Sequence, residues 1–232
     1  MELKQYMNGI SFSLVQPSVV PHFHIYNMLD FELANTLLPE NDKQMKESLY
    51  WICTLPRMST LALGAIINKA VSQMDERHAF VNVGVWNGFT FIAGMQNNPN
   101  KKCIGVDNFS EFGGPREAFD EAFSHHKNEH HLFYDMDYAD YFTHKHNEPI
   151  GFYIFDGPHD YDNQLKGLQL AEPFFTKDCI IMVDDTNWES PRQATLDFIA
   201  NSVHDYEILF DASTAYNGHP TFWNGVIVLQ RK

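Results

Sequence analysis

The sequence predicts an α/β fold. The expected form is a doubly wound, seven-stranded, mostly parallel sheet with an antiparallel C-terminal strand pair and an N-terminal helical cap. Three observations lead there. From residue 79 onward, short apolar runs alternate with segments of helical period, an alternation that builds parallel strands with right-handed crossovers. The chain closes with two strand-like runs around a turn-rich connection, which reads as an antiparallel pair. Residues 1–77 differ in character, with apolar residues at three- and four-residue steps. The expected division is therefore a cap at 1–77 and a ligand-binding domain at 78–232.

In chain order, "MLDFELANTLL" and "STLALGAIINKAVSQM" carry the helical period, and "PENDKQMKESLYWICTLP" between them adds a further short helical candidate. Their apolar faces need another surface to cover them. The strand candidates are "AFVNVGV", "KCIGVDNF", "HHLFYDMD", "GFYIFDG" and "DCIIMVDD". Between them lie the helical candidates "FTFIAGMQNN", "GPREAFDEAFSHHKN" and "NQLKGLQLAEPFF". After the fifth strand, "SPRQATLDFIANSV" offers Ser190 as an N-cap and Pro191 at the first helical position. "YEILFDAS" and "FWNGVIVLQRK", joined by "TAYNGHPT", supply the terminal pair.

At 232 residues with 44% hydrophobic side chains, the chain can bury a substantial core. Thirty acidic against sixteen basic side chains give a formal charge of −14, a field that repels polyphosphate and argues against a nucleic-acid partner. No apolar run reaches the roughly 18 residues that span a bilayer, and the first twenty residues lack the pattern of a signal peptide. Cys53, Cys103 and Cys179 are scattered, which fits a reducing compartment. The expected location is cytoplasmic, with no membrane partner.

Ligands of open parallel sheets bind beyond the carboxyl ends of the strands. The five strand candidates end in Gly84-x-x-x-Gly88, Asp107, Asp137, Asp156 and Asp184-Asp185. A lone loop Asp is usually a turn residue, but recurrence along one sheet edge points to a site. Two glycines at a strand end mark either a close ligand or a tight helix–strand crossing. Asp107 lies 23 residues after Gly84, where a carboxylate can accept from two ribose hydroxyls. "GVWNGF" lacks the middle glycine of a dinucleotide fingerprint, and no Gly-Lys-Ser/Thr follows as in a P-loop. The turn suits a nucleoside without phosphate, and S-adenosylmethionine (SAM) is such a ligand.

"VNVGVWNGFTF", "IGVDNF", "YDMDYADYF", "YIFDGPHDY" and "IIMVDDTNW" resemble, in order and spacing, the class I SAM-dependent methyltransferases. That class has a Rossmann-like fold. "FDGPHDY" followed by a helix and "MVDD" is similar to the O-methyltransferase-like group with a D-G-x-H-x-Y motif. The resemblance implies that 78–232 is the SAM-binding domain and that 1–77 covers the acceptor or builds a homo-oligomer interface. It also implies that Gly84, Trp86 and Gly88 line the methionine end of SAM and that Thr90 opens the following helix. Asp107 would hold the ribose, and Asp137 would lie near the adenine amino group. Asn82 stands where the group usually has an acid facing the ammonium of SAM.

Asp156, Asp184 and Asp185 come from neighbouring strand ends. Three convergent carboxylates repel one another unless a cation joins them, and Mg²⁺ or another hard divalent ion takes such oxygens. Metal-dependent catechol-type O-methyltransferases carry acids that match these three, with Asp156 also bordering SAM. Their metal binds the acceptor oxygens and acidifies the hydroxyl. The alternative is that Asp184 or Asp185 caps a turn and holds no metal. His159, three residues after Asp156, stands where the catechol-type enzymes carry a general base. Trp188 and Asn187 are candidates to touch the acceptor. His125, His126, His130 and His131 read as solvated. The expected function is metal-assisted methylation of a hydroxyl on a small molecule. A non-catalytic SAM-binding protein, a metal-dependent lyase or hydrolase, and a nucleotide-dependent oxidoreductase remain alternatives.

Overall fold

The computed structural model describes residues 1–13 and 29–232. Met28, the first residue of "MLDFELANTLL", and residues 14–20 of the N-terminal stretch read for a signal peptide fall outside the described residues. The N-terminal part comprises α1 (Leu3–Gly9), β1 (Ser11–Phe12), α2 (Leu29–Asn35), β2 (Thr36–Leu37), α3 (Asp42–Leu49) and α4 (Leu61–Gln73). β1 and β2 pair as a short antiparallel ladder. Thr60 caps α4, its hydroxyl accepting from the Leu63 amide at 3.3 Å, which satisfies one of the unpaired donors of a helix start.

The main sheet holds β3 (Ala79–Val83), β4 (Lys102–Asp107), β5 (His131–Asp135), β6 (Ile150–Phe155), β7 (Phe175–Asp184), β8 (Tyr206–Ala212) and β9 (Val226–Arg231). Their order is β5-β4-β3-β6-β7-β9-β8, with β9 antiparallel to both neighbours and the other pairings parallel. Strand order reverses between β3 and β6, so the carboxyl ends there splay into a crevice. The seven strands are those the sequence predicts. β5 ends at Asp135, two residues short of Asp137, and β7 begins three residues before the expected segment.

Helices α5 (Phe89–Met95), α6 (Arg116–His126), α7 (Tyr138–His144), α8 (Tyr161–Ala171) and α9 (Glu189–Asn201) connect the strands. α9 starts earlier than expected, with Trp188 as N-cap, so Ser190 and Pro191 lie inside its first turn. One core cluster joins α1, α4, α5 and α6 to one sheet face through Phe80, Phe91, Phe119 and Phe152. A second packs α7, α8 and α9 on the opposite face around Val81, Tyr153, Phe155 and Ile181. Burial on both faces explains why the strands read as continuous apolar runs. All three cysteines are free and buried. His125 and His130 are exposed as expected, but His131 is buried in β5 and His126 packs on Trp51, ring centroids 4.8 Å apart.

Candidate functional site

A cavity of about 290 Å³ opens at the carboxyl ends of β3, β4, β6 and β7. Its floor is the turn after β3. Gly84 has φ 79°, and a Cβ there would stand 1.8 Å from the Asp156 carbonyl oxygen. Gly88 has φ 97°, and its Cβ would meet Ile92 at 2.9 Å and the Phe119 ring at 3.2 Å. The protein's own packing therefore requires both glycines. The tight-crossing reading accounts for Gly88, which does not line the cavity, whereas Gly84 does. Asp107, at the end of β4, fixes the turn from the other side. One carboxylate oxygen accepts from the Val85 and Trp86 amides at 2.8 and 2.9 Å, and the other accepts from Phe109 at 2.8 Å.

Trp86, Thr90, Asp107, Asp137, Asp156, His159, Asp184 and Asp185 all line the same cavity. Asn82 does not. It is fully buried behind the turn, where its amide nitrogen donates to the Gly84 carbonyl at 3.0 Å. Asp137 caps α7, accepting from the Ala139 amide at 2.8 Å. Asn187 holds the loop before β9 through bonds to Thr214 of 2.7 and 3.0 Å and is absent from the cavity wall. Trp188 reaches the cavity and meets the His159 ring edge-on, centroids 5.8 Å apart.

His159 bridges two carboxylates. Its Nε2 lies 3.5 Å from Asp156 and 3.2 Å from Asp185, and its Nδ1 is buried with no partner among the described residues. Burial alone pulls the imidazole pKa down, but the Asp156 bond and the charges of Asp156, Asp185 and Glu111 outweigh it and hold it above the ordinary histidine value. Burial raises the pKa of Asp156, Asp184 and Asp185; the charge of Asp107 adds to this at Asp156, those of Asp156 and Asp185 at Asp184, and that of Asp156 at Asp185, while His159 opposes it at Asp156 and Asp185. The Asp185 amide donates to Asp184 at 2.9 Å, and Asn224 donates to Asp185 at 2.7 Å. Among the described residues, no three His, Cys, Asp or Glu side chains form a ready ligand set for a metal ion.

Residues 81–186 match a family model described as a methyltransferase domain. The match runs from within β3 to just past Asp185, so it contains the glycine turn, Asp107, His159 and the three carboxylates. No curated protein matches the chain. Among solved structures, the chain is similar to cofactor-bound Rv0187 from MTB, at 13% identity over 90% of this chain and 98% of that one, TM-score 0.61. It is also similar to an O-methyltransferase from Bacillus cereus in complex with SAH, at 14% identity over 84% and 94%, TM-score 0.57. CalS11, a TDP-rhamnose 3'-O-methyltransferase of calicheamicin biosynthesis, aligns at 16% identity over 93% and 99%, TM-score 0.56. At these identities the likeness shows the fold.

Segments outside residues 81–186 complete the cavity, and no local sequence pattern marks them. Arg57, Met58 and Ser59 line it from the N-terminal side, and Trp223 and Asn224 from the loop before β9. Arg57 is 2% exposed and pairs with Glu32, itself 1% exposed, through both guanidinium Nη atoms. Glu32 also accepts from the Leu61 amide at 2.9 Å, which ties α2 to the start of α4. Backbone strain gathers at the same place. Trp86, Phe109, Phe112, Asp185 and Trp223 adopt positive φ between 45° and 59° and all line the cavity. Such strain concentrates where structure over-determines a functional geometry.

Proposed function

We propose that the protein is a SAM-dependent O-methyltransferase that methylates a hydroxyl of a small molecule, assisted by a divalent cation. The observation that carries this reading is one cavity shared by Asp107 on the glycine-turn side and His159 with three acids on the other. Asp156, Asp184 and Asp185 offer the carboxylate oxygens that a hard cation takes, though as they stand they do not form a ready ligand set. These three would hold the ion. When bound, SAM supplies the methyl group on its sulfonium, and the ion lowers the pKa of the acceptor hydroxyl.

The chain's own residues do the rest. Asp107 and Asp137 hold the ribose and the adenine amino group, and the strained turn at Trp86 lies along the methionine end. His159 takes the acceptor proton, and Asp156 and Asp185, which flank its Nε2, stabilise the imidazolium that forms. Aligning oxygen and methyl for in-line displacement is then a positioning task. Free buried cysteines agree with a cytoplasmic setting.

Transfer of labelled methyl from SAM to a catechol, with and without EDTA, tests the reading. Transfer that EDTA abolishes and Mg²⁺ restores is the expected result, as is a loss of about 10²–10⁴-fold in His159→Gln with SAM affinity kept. Full activity in EDTA would leave Asp156 and Asp185 as partners of His159 alone. Wild-type turnover in His159→Gln would remove the base role.

A further inference from the structure

The charge of the cavity restricts the acceptor. Among the described residues, six carboxylates line it, from Asp107, Glu111, Asp137, Asp156, Asp184 and Asp185, against His159 and a single Arg or Lys, Arg57. Arg57 is committed elsewhere. Its guanidinium donates to both oxygens of Glu32, to the Ser59 carbonyl at 2.7 Å and to the Cys53 carbonyl at 3.0 Å. That uses four of its five N–H groups, and its charge is balanced by a buried partner. Residues 14–28, outside the described residues, contain no Lys or Arg in sequence. They carry two histidines, His22 and His24, and no permanently charged cation.

Loading the site does not reverse this sign. SAM carries one net positive charge, from sulfonium and ammonium less its carboxylate. A divalent ion bound by three carboxylates still leaves that cluster net negative. The field of the whole chain, at −14, points the same way.

The walls supply the complementary attraction. Trp188, 42% exposed, and Trp223, 7% exposed, face the cavity from adjacent loops. Those loops are laced together, with the Asn187 amide donating to the Asn224 carbonyl at 2.7 Å and the Thr186 amide to the Gly225 carbonyl at 3.4 Å. Indole faces hold flat apolar or cationic groups. We infer that the acceptor is a hydroxylated compound of zero or positive net charge that presents a flat face to Trp188 and Trp223. Phosphorylated, nucleotide-linked or free-carboxylate acceptors are disfavoured. The inference rests on the methyltransferase reading above and adds the acceptor's class to it.

The test is calorimetry on the full chain saturated with S-adenosylhomocysteine and Mg²⁺. Three matched probes are titrated: 4-methylcatechol (neutral), dopamine (cationic) and 3,4-dihydroxybenzoate (anionic). The neutral and cationic probes should bind at least tenfold more tightly than the anionic one. Glu111→Lys should narrow that gap at least threefold, and Trp188→Ala should weaken the two favoured probes. Equal or tighter binding of the anion, or no binding by any of the three, overturns the inference. The preceding titration with S-adenosylhomocysteine separates the two levels. Failure there sinks the methyltransferase reading, whereas failure confined to the probes sinks the acceptor's charge class alone.

Discussion

Asp107 and Asp184 sit at equivalent strand ends yet are treated oppositely by their surroundings. Asp107 accepts three backbone N–H bonds, which fix the turn after β3. Asp184 is 6% exposed, and burial with the charges of Asp156 and Asp185 raises its pKa well above the usual carboxylate range. A carboxyl whose folded pKa exceeds its unfolded value contributes stability at low pH and loses it as pH rises through the folded value. Asp184→Asn keeps the oxygen that accepts from Asp185 and removes the charge. In EDTA at pH 7.5 the variant should be more stable than wild type by about 0.5–2 kcal/mol, with the advantage shrinking toward pH 5. Methyl transfer should be lost. Thermal melts at both pH values check this, and equal or lower stability of the variant at pH 7.5 would show that Asp184 is already compensated.

The turn after β3 is the element on which the site depends. In Gly84→Ala the new methyl would overlap the Asp156 carbonyl, separating the ends of β3 and β6 where the cavity begins. Gly113, also at positive φ (83°), has open space around it. Gly113→Ala should cost about 1 kcal/mol, from backbone preference alone, and Gly84→Ala about 3 kcal/mol or more. Urea denaturation of both variants compares them, and similar losses would mean that the clash relaxes. The elements around this turn were readable because period and length distinguish buried strands from amphipathic helices. α7 was not read as a helix, since its seven residues hide in a segment rich in Asp and Tyr. The strand-end acids were readable because parallel strands bring their carboxyl ends to one edge. Asn224 bonding to Asp185, 39 positions away, leaves no local pattern. The same holds for Glu32 and Arg57.

At the scale of the molecule, the N-terminal helices and the sheet share one core cluster, which runs from Leu3 to Val228. The Glu32–Arg57 pair lies within this junction. Removing one partner strands a buried charge, at a cost of about 3–5 kcal/mol. Glu32→Ala should show that loss, and adding Arg57→Met should recover much of it. Denaturation of the single and double variants measures the coupling, and additive losses would contradict it. In the proposed function, SAM binds at the edge where β3, β4, β6 and β7 end, with its ribose on Asp107. Calorimetric titration of SAM into the wild type and Asp107→Asn tests it most directly, since Asn keeps an oxygen for the turn and removes the charge. The account predicts one SAM bound per chain in the wild type and at least tenfold weaker binding in a folded Asp107→Asn variant. No heat of binding in the wild type, or unchanged affinity in the variant, would contradict it.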